Sequence, residues 1–465
     1  MARVLLRASA MRLTSFLAAS ATAVSILVAR DASACGGCFP PQGEQQTVVT
    51  DHRMLLSVAK DQTTLYDQIR YQGAPESFAW VLPIAGQVDV GLSADTVFGV
   101  LHNLTATVVQ APPTRCPPPP DCGYDEEAPQ ASAGGSADAG TSVEVLSQKI
   151  VGPYETVQLR SSDPDALTTW LTQNGFAIAS DVAPVIADYV AEKFDFLALR
   201  LRPGQGVNAM RPVRVTTQGA AATLPLRMVA AGTGATVGIT LWVVGEGRYE
   251  PQNFPSFFIP SAELTWDWAT GASDYKDLRA ARAGALAGKG WELESSNDLY
   301  RGTFESTLGF AGRAGNGQLG SDYAPIEENG VIVKTPEQAR TLDMATLFHG
   351  QPNVVRVTRL HADLAHAALT SDLALVASSD QSVLPNVRTP SKEKGEPQCP
   401  VYQGCSQVGT APRGEAIAQA AAASGDDSSC RVAPAKQTGG SGGLGLLGAL
   451  AFAGTAVLRS RRARR

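Results

Sequence analysis

The chain has 465 residues, 44% hydrophobic and 18% charged, which supplies enough apolar side chain for one large core or two smaller ones. Its formal net charge is −6, but the two ends are basic: residues 1–34 hold four Arg and one Asp, and residues 459–465 hold five Arg. Taking those ends from 38 basic and 44 acidic side chains leaves 29 and 43, a net charge of −14, which phosphate backbones repel; a nucleic-acid partner is excluded.

At the N-terminus Arg3, Arg7 and Arg12 precede an apolar run from Leu13 to Val28, followed by the small-residue triplet Ala32-Ser33-Ala34. A basic start, a short apolar stretch and an A-x-A site predict a secretory signal peptide over residues 1–34, with the mature chain starting at Cys35. Ser33-Ala34-Cys35 also fits the end of a lipoprotein signal, although Ala32 stands where a large aliphatic residue is usual. Lipid on Cys35 is therefore the second reading. In Cys35-Gly36-Gly37-Cys38 no strand leads into a helix N-terminus, as a redox pair requires, and Phe39 stands where haem attachment needs His.

The body then reads as strands and helices in irregular order. MLLSVAK, TTLYDQIRYQ and SFAWVLPI are three β-prone runs separated by polar breaks. Cys116 and Cys122 flank PPPPD, and the acidic tract 123–142 is too poor in large apolar groups to fold, so a disordered insertion is expected. VEVLSQKIV and YETVQLR predict strands. Ser162-Asp163-Pro164 before DALTTWLTQNGF predicts a capped helix, and Val182 to Phe194 a second. FDFLALRLRP, PVRVTT, TLPLRMVAAG and ATVGITLWVVGEG return to strands, with further helices expected at Asp274–Ala287 and Thr335–His349. The fold class that follows is α+β: strand-rich, mostly antiparallel sheets with a few packed helices, plus a C-terminal transmembrane helix.

Exported cysteines are expected to be oxidised, and Cys35, Cys38, Cys116, Cys122, Cys399 and Cys405 form three close pairs. Local closure of Cys116 with Cys122 and of Cys399 with Cys405, around PVYQG, is the simplest of fifteen pairings; Cys430 is left over. Residues 35–385 form the exported body, and 386–438 a low-complexity linker with an Ala-rich patch at 412–424. Gly439–Leu458 is long enough to cross a bilayer, and the basic end 459–465 stays on the cytoplasmic side.

The order of Cys35-Gly36-Gly37-Cys38-Phe39, TTLYDQIRYQG, FAWVLP, Gly152-Pro153-Tyr154-Glu155, TWLTQNGF, LPLRM and LWVVG resembles the DUF2330 family of bacterial envelope proteins, from about residue 35 to residue 375. The resemblance implies export and a shared fold, and carries over no catalytic residue. The C-terminal end separately resembles Myxo-type sorting tags, which makes Cys430 the candidate processing cysteine, although it lies nine residues before Gly439.

Local signatures of chemistry fail one by one. Gly204-Gln205-Gly206-Val207-Asn208-Ala209 fits G-x-G-x-x-A but leads into another strand, so a hairpin turn is expected and not a phosphate cradle. Gly284 to Gly290 has the wrong spacing for a P-loop, and the G-x-S-x-G at Gly439–Gly443 lies in linker. Among His52, His102, His349, His361 and His366, the last two would lie about 140° apart on a helix, poor for one metal, so surface or capping roles are expected. Asp125-Glu126-Glu127 lacks a calcium-loop ladder. Trp266, Trp268, Phe254, Phe257 and Phe258 are expected to pack in the core.

The reading is an exported, membrane-tethered structural or binding module. It is more a non-enzyme than an enzyme, with no cofactor, no metal, and the membrane and an envelope protein as partners. The alternative is an exported hydrolase or redox enzyme with a site assembled from scattered residues.

Overall fold

A computed structural model describes residues 48–72, 79–120, 149–160, 163–173, 182–202, 209–230, 235–311, 322–328 and 331–425. The stretches where a signal peptide, a disordered acidic insertion and a membrane or sorting segment were expected lie outside these residues, as does nearly all of the G-x-G-x-x-A motif. The chain divides into a large unit (Met1–Arg115 with Gly123–Pro397) and a small one (Cys116–Cys122 with Gln398–Arg465).

In the large unit β1 (Val48–Val58), β2 (Gln62–Gln72), β3 (Ala79–Ile84) and β4 (Asp89–Leu92) come first, then α1 (Asp95–Thr105) and β5 (Val108–Val109). β6 (Lys149–Val151) and β7 (Tyr154–Leu159) lead to α2 (Pro164–Gln173), α3 (Val182–Ala191) and β8 (Asp195–Leu201). β9 (Val213–Gln218), β10 (Thr223–Leu224), α4 (Leu226–Val229) and β11 (Thr236–Gly245) follow. Then come β12 (Tyr249–Pro251), β13 (Ser256–Phe257), β14 (Thr265–Asp267), β15 (Ala272–Ser273) and α5 (Tyr275–Ala285). β16 (Trp291–Tyr300), α6 (Arg301–Ala311), β17 (Ile326–Glu328), β18 (Val331–Lys334), α7 (Pro336–Leu347) and β19 (Val354–Ala365) continue the chain. β20 (Leu373–Ala377), β21 (Val387–Arg388) and β22 (Lys392–Lys394) end it.

Eight of these strands make one sheet in the order β13-β16-β19-β11-β1-β2-β9-β4, and four make a second in the order β3-β8-β7-β6. Within them only β1–β11 and β13–β16 pair in parallel. Alternation sets what each face meets. Val237, Ile239, Leu241 and Val243 of β11 join Trp80 and Leu82 of β3 and Leu197, Leu199 and Leu201 of β8 in a core between the sheets. Trp242 and Val244, pointing the other way, pack with Val97, Phe98 and Leu101 of α1, Phe304 and Leu308 of α6, and Met344 and Leu347 of α7. On the outer face of the small sheet Val81, Phe196 and Ala198 meet Val182, Ile186 and Tyr189 of α3. Helices, small sheet, large sheet and helices therefore stack as four layers, and β11, apolar on both faces, lies in the middle.

The sequence-predicted strands 54–60, 63–72 and 77–84 correspond to β1–β3, and the helices expected at 274–287 and 335–349 correspond to α5 and α7. α7 starts as its sequence dictates: Thr335 accepts from the Gln338 N–H at 3.3 Å, Gln338 accepts in return from the Thr335 N–H at 2.9 Å, and Pro336 opens the first turn. TLPLRMVAAG is a correction. Pro225 ends the strand after Leu224, and Leu226–Val229 turns into α4. α1 and α6 carried no cap signal that marked them in advance.

Unit two pairs β23 (Gln398–Gln403) with β24 (Ser406–Pro412) as an antiparallel hairpin, followed by α8 (Arg413–Gly425). These elements lie within the stretch read as linker: its polar composition conceals the hairpin, while α8 falls on the Ala-rich patch 412–424, whose composition suits a short helix. Their apolar cluster consists of Cys399, Ala411 and Ala416, with Cys116 and Val401 beside them. Cys116 is bonded to Cys399, with Cα atoms 5.4 Å apart, and Cys405 is also disulfide-bonded. This overturns local closure. An extended strand rises ~3.3 Å per residue, so the Cys399–Gln403 stretch of β23 already spans ~13 Å, beyond the ~7 Å reach of a disulfide. Cys35, Cys38, Cys122 and Cys430 lie outside the described residues.

No described helix is long and apolar enough to cross a membrane, and residues 439–458, where a transmembrane helix was expected, are not among those described.

Candidate functional site

Strand register assembles a gathering of charged side chains on the helix-covered face of the large sheet. Thr240 of β11, His361 of β19 and Glu292 of β16 stand in one cross-strand row; Trp242, Arg359 and Ser295 form the next. Between the rows the β16–β19 ladder shifts at Leu293/Ser295, so Glu294 is the extra residue of a bulge.

Charges here answer one another. Arg359 donates from Nε to the Glu294 carboxylate, lies 5.1 Å from the Trp242 ring centroid and places Nη1 3.2 Å from His102 Nδ1. A guanidinium cannot accept, so Nδ1 of His102 accepts and carries no proton in this contact. Arg388, 2% exposed, donates to the Glu294 carbonyl at 2.6 Å, stands 3.5 Å from Glu292 Oε1, and covers the Phe258 ring at 4.7 Å. From α5, Tyr275 donates to Glu292 Oε1 at 2.7 Å, while Arg279 bridges Glu292 at 3.5 Å and Asp363 at 3.0 Å. Burial pushes the Glu292 carboxyl above the ordinary carboxylate range, and the Glu294 charge adds to this against the pull of Tyr275, Arg388 and Arg279. Burial and then the Glu292 charge push the Tyr275 hydroxyl up. Asp363 is held low, first by its hydrogen bond from His361.

One part of this row has the residue types of a hydrolytic triad. Thr240 Oγ1 lies 3.2 Å from His361 Nδ1, and His361 Nε2 lies 3.4 Å from Asp363 Oδ1. Its setting does not suit nucleophilic attack. Thr240 is 5% exposed in the middle of a central strand, with ladders on both sides, and Asp363 is already engaged by Arg279.

A second buried network joins helix to sheet. Asp343 of α7 accepts from Arg214 Nη1 at 3.0 Å, Ser93 Oγ at 2.6 Å and Tyr323 Oη at 2.9 Å. Burial raises its carboxyl despite these partners. Arg214 fits because β4 passes it with Gly91, where an added Cβ would lie 2.5 Å from Nη2. His52 of β1 and Asp67 of β2, both buried, meet at 3.2 Å.

Sequence reasoning placed histidines at surfaces or caps. His349, paired with Asp61 at 3.1 Å on the surface, agrees, and His366 opens a 3-10 turn. His52 and His361 do not: His361 lies in a strand, so the helical angle to His366 does not apply. The signal for His52–Asp67 was there only as two alternating strands around one tight turn. Of the aromatic residues Phe254 is buried, while Trp266 and Trp268 are half-buried and meet edge to face at 6.1 Å. Among the described residues no three His, Cys, Asp or Glu side chains could hold one metal ion. On the surface, β18 exposes Val331, Ile332 and Val333 in succession, an apolar strand open on both faces.

Residues 29–305 match the family described as an uncharacterised protein conserved in bacteria, DUF2330. The chain belongs to that family. The match ends inside α6, whereas β19, which supplies Arg359 and His361, is hydrogen-bonded between β16 and β11 of the same sheet. The folded unit is therefore longer than the matched DUF2330 region. No curated protein matches the sequence. A crystal structure of baculovirus P35 is 8% identical, with 72% of this chain and 98% of that chain covered at a TM-score of 0.27, a likeness too weak to bear on fold or function.

Proposed function

We propose that this DUF2330 protein is an exported envelope protein, held in the membrane by 439–458 with the basic end 459–465 inside. Its body, 35–385, acts as a structural or binding module and not as an enzyme. The observation that carries this reading is the pairing of cysteines in the small unit, where Cys116–Cys399 and the disulfide at Cys405 suit an oxidising compartment. The signal pattern at 1–34 supports it independently. In the body, the Glu292 and Asp343 clusters consist of ions already paired with one another, which suits a fold-holding role. The exposed apolar strand β18 suits contact with a partner protein. The C-terminal end is read as similar to a Myxo-type sorting tag, with Cys430 as its processing cysteine.

Envelope fractionation followed by N-terminal sequencing and intact mass tests this. A chain starting at Cys35 and fractionating with the membrane is expected, with added diacylglycerol on Cys35 marking the lipoprotein route. Retention of residues 1–34 in a soluble cytoplasmic fraction would overturn export.

A further inference from the structure

We infer that Trp266 and Trp268 form a docking floor for the pyranose rings of a neutral, β-linked polysaccharide of the envelope. This rests on the reading of the body as a binding module and names what the module holds. Residues 249–275 carry seven aromatic side chains, in a chain that is 6% aromatic as a whole. Core packing was the expectation for this stretch, and Phe254 meets it. The two tryptophans do not: both stay half-buried, and neither belongs to an apolar cluster of the large unit. Arg388 lies over Phe258 and Tyr275, which accounts for those rings. An indole with an apolar face and a polar edge, left half in water, suits a contact surface.

Strand geometry puts both rings on one face. β14 is the central strand of the order β15-β14-β22, and Trp266 and Trp268 are alternate residues of its extended run, which the Trp268 N–H continues by donating to the Lys394 carbonyl at 3.0 Å. The ring centroids stand 6.1 Å apart with planes at 72°, so the two indoles make a corner. Register adds polar groups to the same face. Ser273 of β15 and Glu393 of β22 both stand opposite Trp266, and Glu393 Oε2 accepts from Trp268 Nε1 at 2.7 Å. A carboxylate has about four lone-pair sites, so Glu393 can accept from further hydroxyls. Asp267 and Lys394, paired at 2.8 Å, alternate to the opposite face.

Charge decides the class of occupant. The three strands carry Asp267 and Glu393 against Lys392 and Lys394, a formal sum of zero within a body of −14. Such a floor has no net field to select an anion or a cation. A pyranose with equatorial substituents is its complement. Axial C–H bonds on the sugar face meet the negative face of an indole, and the hydroxyl rim meets Glu393 and Ser273. β-Linkage keeps successive rings extended, so a neighbouring ring can rest on the second indole.

Full-length protein in a detergent without a sugar headgroup is titrated with cellotetraose and with chitotetraose, followed by tryptophan emission and calorimetry. Saturable binding of at least one is expected, with saturation transfer strongest to its axial ring protons. Trp266→Ala and Trp268→Ala should each weaken binding by about tenfold, the size of one stacking contact, while the thermal transition of the body stays unmoved. Trp268→Phe, which keeps a ring face, should retain most of the affinity. The saturation-transfer measurement uses the unaltered chain and so decides the case even where an alanine variant fails to fold. Absence of binding to either sugar, tighter binding of an anionic oligogalacturonate, or folded alanine variants that bind as wild type does would overturn the floor and leave export standing. Shortening of the bound oligosaccharide would instead overturn the non-enzyme reading.

Discussion

The two units are held together by different physics. The large unit buries three apolar clusters across four layers, and its cystine-free core includes Trp242, Trp291 and Phe98, each fully buried. By contrast the small unit has a cluster of three small buried side chains, one of them a half-cystine, and β24 is exposed almost throughout. A cluster that small buries too little apolar surface to offset chain entropy by itself, and covalent closure adds what is missing. One chain thus contains a region stabilised by the hydrophobic effect and another dependent on oxidation.

The largest effect should come from breaking the large unit at its buried ions. Asp343→Ala leaves the Arg214 guanidinium without its carboxylate and Ser93 and Tyr323 without their acceptor. About 3–5 kcal/mol of stability should be lost, read by urea unfolding followed through the buried tryptophans. A loss below 1 kcal/mol would mean that the pair is not desolvated.

Cys399→Ser should cost the small unit about 2–5 kcal/mol and leave the thermal transition of the large one unmoved. Limited proteolysis with and without reductant checks this: cuts should appear first between residues 398 and 425. Simultaneous melting of both units would erase the contrast.

Ionisation sharpens it next. Glu292 has its carboxyl raised by burial, so the folded chain holds that proton more tightly than the unfolded chain. Above the ordinary glutamate value of about 4.3, stability should therefore fall as pH rises, by no more than about 1.4 kcal/mol per pH unit, until the native group has ionised. Glu292→Gln cannot ionise, and the difference between wild type and variant across pH 4 to 7 should show that slope. A flat difference would place Glu292 in water.

The smallest expected effect is at a cap. Thr335→Ala removes the side-chain acceptor for the Gln338 N–H at the start of α7 and should cost about 1 kcal/mol, seen as a lowered midpoint with an unchanged denaturant slope.

Much of the architecture was legible because it is written in short-range terms. Short runs rich in apolar and β-prone residues between polar breaks marked β1, β2, β8 and β11, and Asp163-Pro164 and Thr335-Pro336 marked two helix starts. α1 was missed although Val97, Phe98 and Leu101 have helical spacing, since Asp95 follows an extended run without a clear cap. The hairpin β23–β24 was missed because its polar composition resembles linker and its stability comes from a cystine.

Local pattern, then, determined by itself that this is a strand-rich α+β chain with mostly antiparallel sheets, because side-chain alternation and capping act within a few residues. Tertiary structure alone decided which groups meet: Cys116 with Cys399 across 283 positions, Arg214 with Asp343, Arg359 with Glu294, and Glu292 opposite His361. Closing a loop costs free energy that grows only with the logarithm of its length, so distance along the chain hardly restricts the choice of partner. Strand register and burial make that choice, and neither is encoded in the residues flanking a charge or a thiol.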